Sequence, residues 1–167
     1  MNLQLHTLPR PLRRSLTVFL LALSFGYISG LDMLGNTTGF KAKGVEKNVL
    51  GNEIDEQAKE LYFKMSEREL QGVIHSHVVS LAVLFLILSV MLYFSSYNKE
   101  VKNFLMLEPT ISLVVTFGGL WMLWSGISWM KYIIMVSGIL MHLSIITIIL
   151  LLLKDLNLHK SYLKSNN

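Results

Sequence analysis

Three histidines, His75, His77 and His142, stand in or beside apolar runs, and Asp32 lies at the end of another. Imidazole binds iron, copper and zinc and carries protons near neutrality. An ionisable side chain at membrane depth costs a few kcal/mol, so it normally faces a bundle interior and a partner. His142 lies ten residues past Tyr132, about 15 Å along a helix and near the middle of its run. Met135, Gly138, Ile145 and Ile149 share its face. The residue can be a ligand or proton relay, or it can pack by hydrogen-bonding across to Thr116 or Ser112.

His75 and His77 are two residues apart, so a regular helix points them ~200° from each other. One helix cannot aim both at one metal. His75 falls in line with Ala82 and Ser89 and is expected in the bundle interior, whereas His77 shares a face with Leu81, Leu84, Leu88 and Met91. An interfacial role with wet tips is the alternative for both. Axial ligation of haem b by His75, His77 and His142 is the sharpest cofactor expectation, since histidines from facing membrane helices suit iron. His77 and His142 differ in depth by roughly 9 Å, which tilt must absorb. Two bis-histidine haems would need four ligands, so that arrangement is excluded. Met141 beside His142 points ~100° away and builds no copper pocket with it; the sequence assigns no metal.

The elements that must position these residues are four apolar runs. Hydrophobic residues make up 52% of the 167 and charged residues 16%, well below the ~25% charge of a soluble domain. Each run has the roughly 20 residues that a bilayer core requires. The fold class expected is all-α, a four-helix transmembrane bundle forming one membrane domain. Its helices are expected at about 15–34, 67–94, 109–129 and 132–153, with one long extracytoplasmic loop over about 36–65.

Ala22, Gly26 and Gly30 recur at four-residue intervals in the first run, a small-residue seam that admits a close helix. Ile54, Ala58 and Leu61 predict a short helix from about Glu53 to Phe63 within the loop. Ser66 and Glu69 form a capping box that starts the second long helix, and Pro109 suits the first position of the third. Asp32 and His75 end and begin helices joined by one loop. They are expected within hydrogen-bonding or water-bridged reach beneath it.

The net charge of +4 does not imply nucleic acid, because the fifteen Lys and Arg are scattered among flanks and loops. The partner they mark is the lipid bilayer. Eight of the fifteen fall on the side of the termini. The cluster Arg10, Arg13 and Arg14 before the first run places both termini in the cytoplasm. The absence of cysteine removes disulfides, thiolate metal sites and cysteine nucleophiles. No phosphate loop, Ser-His-Asp order or HExxH pattern is present, and no catalytic residue is assigned.

Thr38-Gly39-Phe40, Gly44-Val45, Gly51-Asn52-Glu53 and His75-Ser76-His77 together resemble a loose group of small bacterial four-helix inner-membrane proteins with a His-x-His opening the second helix. The resemblance implies a multi-pass protein of the inner membrane. It makes Gly39, Gly51, His75 and His77 candidates for a shared outer site and implies no catalytic role.

The functional expectation is a membrane accessory protein or subunit of a redox system, binding haem b through its histidines and joining other membrane or respiratory-chain subunits. A small transport or metal-handling protein is the alternative, with Asp32, His75 and His77 at the outer mouth and His142 as a midplane relay. A purely structural membrane protein using the Ala22-Gly26-Gly30 seam is the third.

Overall fold

Apolar runs too long for a soluble core become helices because lipid offers backbone groups no hydrogen-bond partner, and a helix satisfies them internally. The computed structural model describes residues 4–53 and 60–165, with side chains as far as Asn157. A 3-10 turn at Leu5–Thr7 precedes α1 (Arg10–Thr38), α2 (Ala42–Leu50), α3 (Glu67–Tyr93), α4 (Lys99–Trp124) and α5 (Met130–Ser165). The helices α1, α3, α4 and α5 are long and apolar enough to cross a membrane. The described chain is an all-helical transmembrane bundle.

α1 carries Pro11 in its first turn, where the missing N–H is no loss. It closes at Gly39, whose φ of +59° is left-handed and whose N–H donates to the Gly35 carbonyl at 2.7 Å. The chain then reverses tightly. A side chain at Gly44 would place its Cβ 1.8 Å from the Thr38 carbonyl oxygen, so only glycine lets α2 pass the end of α1. α2 occupies the start of what the sequence reads as loop. It buries Val45 and Val49 against Leu123, Met130 and Ile134, and its Glu46 pairs with Lys131 at 2.6 Å.

The short helix expected from Glu53 to Phe63 falls mainly on residues 54–59, outside the described residues. Its flanks are tied together without helix: the Asn52 N–H donates to the Tyr62 carbonyl at 2.9 Å, and the Tyr62 N–H donates to Asn52 Oδ1 at 2.7 Å. Gly51, at φ +77°, lets this closure form, because a Cβ there would meet the Tyr62 oxygen at 2.8 Å. The Ser66–Glu69 capping box is present and starts α3.

α4 begins ten residues before Pro109, which lies inside the helix. Asn98 Oδ1 accepts the Glu100 N–H at 2.8 Å and caps the true start. An interior proline costs about 3 kcal/mol in water, yet Pro109 is fully buried on a packed face with Leu105, Ser112, Leu113 and Thr116. Burial of that whole face outweighs one missing hydrogen bond. α4 stops at Trp124, because the turn after it needs Gly126 at φ +102°, and Lys131 belongs to α5.

α4 and α5 form the central antiparallel pair; α3 packs on α4, and α1 packs on α2 and α5. In their most apolar stretches 44% of α4 and 39% of α5 is buried, against 11% for α3 and 6% for α1. The main core joins Leu20 of α1, Phe85, Leu88 and Leu92 of α3, Leu105 and Leu113 of α4, and Ile145, Ile148 and Leu152 of α5.

Candidate functional site

Glu108, Ser112 and Thr116 follow one another at four-residue spacing and so lie on one face of α4, all three buried. Thr116 and Ser137 of α5 bring their hydroxyl oxygens to 2.8 Å. Ser137 donates to the Ile133 carbonyl at 2.8 Å, so its oxygen is left to accept the Thr116 proton. One turn nearer the termini end, the Ser112 hydroxyl donates to Glu108 Oε1 at 2.5 Å. Glu108 Oε2 is buried and has no partner.

The register set by Thr116 with Ser137 and by Gly119 against Ile134 carries Glu108 to about the level of Ile145. Glu108 lies nine residues from Lys99 and sixteen from Trp124, roughly 14 Å and 24 Å along the helix. With Trp124 at one boundary of a ~30 Å core, the carboxyl lies inside the hydrocarbon. Chemically it is a buried acid with one engaged oxygen and one free.

A second acid, Asp155 of α5, has no exposed surface. Ser96, in the turn between α3 and α4, donates to its Oδ1 at 2.5 Å, and His6 Nδ1 stands 3.8 Å from the same atom. The 3-10 turn reaches this place because Leu5 is buried and its N–H donates to the Phe94 carbonyl at 2.9 Å. Arg13 of α1 holds the segment by donating to the His6 carbonyl at 3.3 Å. The Tyr97 phenol, raised above its ordinary pKa by burial first and then by the Asp155 charge, completes the cluster.

The histidines are dispersed. His142 donates from Nδ1 to the Gly138 carbonyl of its own helix at 2.7 Å and faces the Tyr27 ring of α1 at 5.6 Å. The expected partners Thr116 and Ser112 are engaged elsewhere, with Ser137 and Glu108. His77 donates from Nδ1 to the Val73 carbonyl at 2.8 Å and stacks on Phe117 of α4 at 5.4 Å. His75, expected inside, is exposed and lines a shallow depression with Gln71, Ile74, Val78, Val79 and Trp121. The face that runs through Ala82 and Ser89 meets α4 at Ser89, whose hydroxyl donates to the Met106 carbonyl at 3.2 Å, and lies open at the level of His75.

His142 thus faces α1 while His77 faces α4, so they do not supply paired axial ligands to one haem within the chain. Among the described residues no three His, Asp or Glu side chains gather to hold a metal ion. Asp32 is exposed and accepts from Asn36 at 3.2 Å. Among the described residues no direct hydrogen bond or ion pair joins Asp32 to His75. Gly39 and Gly51 have the backbone roles given above, and Ala22, Gly26 and Gly30 point outward, with nothing within 4 Å of a Cβ built on either glycine.

Sequence reasoning missed Glu108, by assigning it to a loop, and Asp155, by assigning it to a tail. The available signal was phase: Leu105, Glu108, Ser112 and Thr116 keep helical spacing through Pro109, and Ile145, Ile148, Leu152 and Asp155 do so past Leu153.

The family of a transmembrane helical domain matches residues 39–163, about three quarters of the chain. The chain belongs to that family. Its match begins at the left-handed cap of α1 and takes in α2 to α5, including Glu108 and Asp155, while His6, Arg13 and nearly all of α1 precede it. No curated protein and no solved structure matches the chain.

Proposed function

We propose that the protein is a small transport protein of the cell inner membrane that carries protons, with Glu108 as the group that binds them. The observation that carries this reading is the Glu108 carboxyl, buried at membrane depth with Oε2 unpartnered. An intramembrane acid without a counter-cation is relieved by a proton or a bound cation, and such residues mark ion pathways. Ser112, Thr116 and Ser137 extend a polar line from it toward the loop side. At that side Leu123, Met130 and Ile134 close the line, and α2 covers them. We place both termini in the cytoplasm, following Arg10, Arg13 and Arg14.

The test is proton uptake into liposomes containing the purified protein, driven by a potassium diffusion potential and read by an entrapped pH dye. Uptake should exceed that of empty liposomes and fall at least tenfold in Glu108→Gln. Equal uptake by a Glu108→Gln variant that elutes and unfolds like the parent would overturn the reading. The same sample weighs the haem reading, which is favoured by His142 Nε2 making no hydrogen bond while Nδ1 is anchored as in ligating histidines. A Soret band lost on His142→Ala would replace proton carriage by a haem-binding accessory role.

A further inference from the structure

Asp155 is completely buried, and Oδ2 has no partner. Two other buried polar atoms in the same cluster are also unpartnered, His6 Nδ1 and Tyr97 OH. Buried polar atoms are nearly always satisfied, so these three together mark a polar site within the apolar bundle. Its charge follows from the groups that face Asp155.

The 3-10 turn contributes His6, α1 contributes Arg13, the α3–α4 turn contributes Ser96 and Tyr97, and α4 contributes Lys102. Arg13 is held by the His6 carbonyl, and Lys102 Nζ donates to the carbonyls of Tyr93 at 3.0 Å and Ser95 at 3.2 Å. Neither forms an ion pair with Asp155. Among the described residues, the ionisable neighbour within pairing distance is His6, at 3.8 Å, whose own charge depends on a proton. One proton, on the imidazole or on the carboxyl, decides whether the buried pair is balanced. Tyr97, kept in its phenol form by burial and by Asp155, can only donate toward that carboxylate.

We propose that Asp155, His6 and Tyr97 form a binding site for a hydrated proton at the termini end of the bundle, separate from Glu108. The site rests on the proton-carrying reading for its purpose and on its own groups for its chemistry. Ten residues, about 15 Å of helix, separate the level of Glu108 from Asp155, with Leu105, Ile148 and Leu152 between them. The amino-terminal segment is then part of the site, since it brings His6.

Infrared difference spectra of the full-length protein in lipid bilayers, taken across a pH series, test this. A carboxylic-acid C=O band should appear on acidification, vanish in Asp155→Asn and persist in Glu108→Gln. His6→Gln removes a group that can carry positive charge and should move the band's midpoint upward. Tyr97→Phe removes the phenol hydroxyl from the surroundings of the carboxylate and should move it the same way. The proposal is overturned if Asp155→Asn leaves every carboxylic-acid band in place. It is equally overturned if neither His6→Gln nor Tyr97→Phe moves the midpoint, for Asp155 would then only anchor the segment. Should Asp155→Asn not fold, these two milder variants decide alone. Failure of the Glu108 reading looks different: no proton uptake, with the Asp155 band still present.

Discussion

α1 and α4 are of similar length, 29 and 26 residues, and both are apolar enough to span a bilayer, yet 6% of one stretch is buried against 44% of the other. Their polar residues differ in the same sense. Thr17, Ser24 and Thr37 of α1 donate back to the carbonyls four residues earlier, at 2.9, 2.7 and 2.9 Å, and so need no partner helix. Ser112 and Thr116 of α4 instead bind a buried acid and a hydroxyl on α5. Glycine follows the contrast: a Cβ on Gly119 would stand 2.8 Å from Ile134 Cγ1, and one on Gly26 would meet nothing. Hydropathy measures affinity for lipid, so it cannot distinguish a helix that lipid surrounds from one that other helices surround.

The largest expected effect separates the two helices by cavity formation. Leu113→Ala, at a site 1% exposed in α4, should destabilise the bundle by about 2–5 kcal/mol, whereas Ile28→Ala, 65% exposed in α1, should stay within about 0.5 kcal/mol. Reversible unfolding in mixed micelles measures both, and similar losses would break the distinction between central and peripheral helices.

Overpacking gives the next effect. Gly119→Leu should cost about 1–3 kcal/mol because Ile134 must yield, while Gly26→Leu leaves the unfolding midpoint unchanged. Crosslinking of the Gly26→Leu variant sharpens the point: loss of a crosslinked dimer would assign the Ala22-Gly26-Gly30 seam to contacts between copies, and unchanged crosslinking leaves it to lipid.

The smallest effect concerns the cover over the α4–α5 pair. Glu46→Gln removes the charge that meets Lys131 and should accelerate amide exchange across Ala42–Leu50, with global stability unchanged. Added salt should narrow the difference between parent and variant, as screening requires. Identical exchange would mean that Val45 and Val49 alone hold α2.

The positions of the expected site residues were only partly legible. Ser66 and Glu69 act over one turn, so their pairing could be read directly. The facing of His75 and His77 could not, because two histidines ~200° apart present opposite faces and only the place of α4 selects between them. Asp32 and His75 share one end of the molecule by chain connectivity, yet connectivity fixes the end and leaves the side open. Glu108 was obscured by Pro109, since a proline predicts a helix start by local sterics, while burial along the whole α4 face carries the helix through it.

The sequence by itself determined the number of spans, the capping of α3, the all-helical class and the sharing of one side by the two termini. These follow from local quantities: the length of apolar runs, the demand of backbone groups for partners in lipid, and an even number of crossings. Tertiary structure alone decided which helices are central, which face of each turns inward, and that Glu108 and Asp155 are buried acids, each with one unpartnered oxygen. The physical reason is that burial of an acid depends on neighbours far away in the chain. Ser96 and His6 reach Asp155 across 59 and 149 residues of sequence, and no local pattern around Asp155 encodes their arrival.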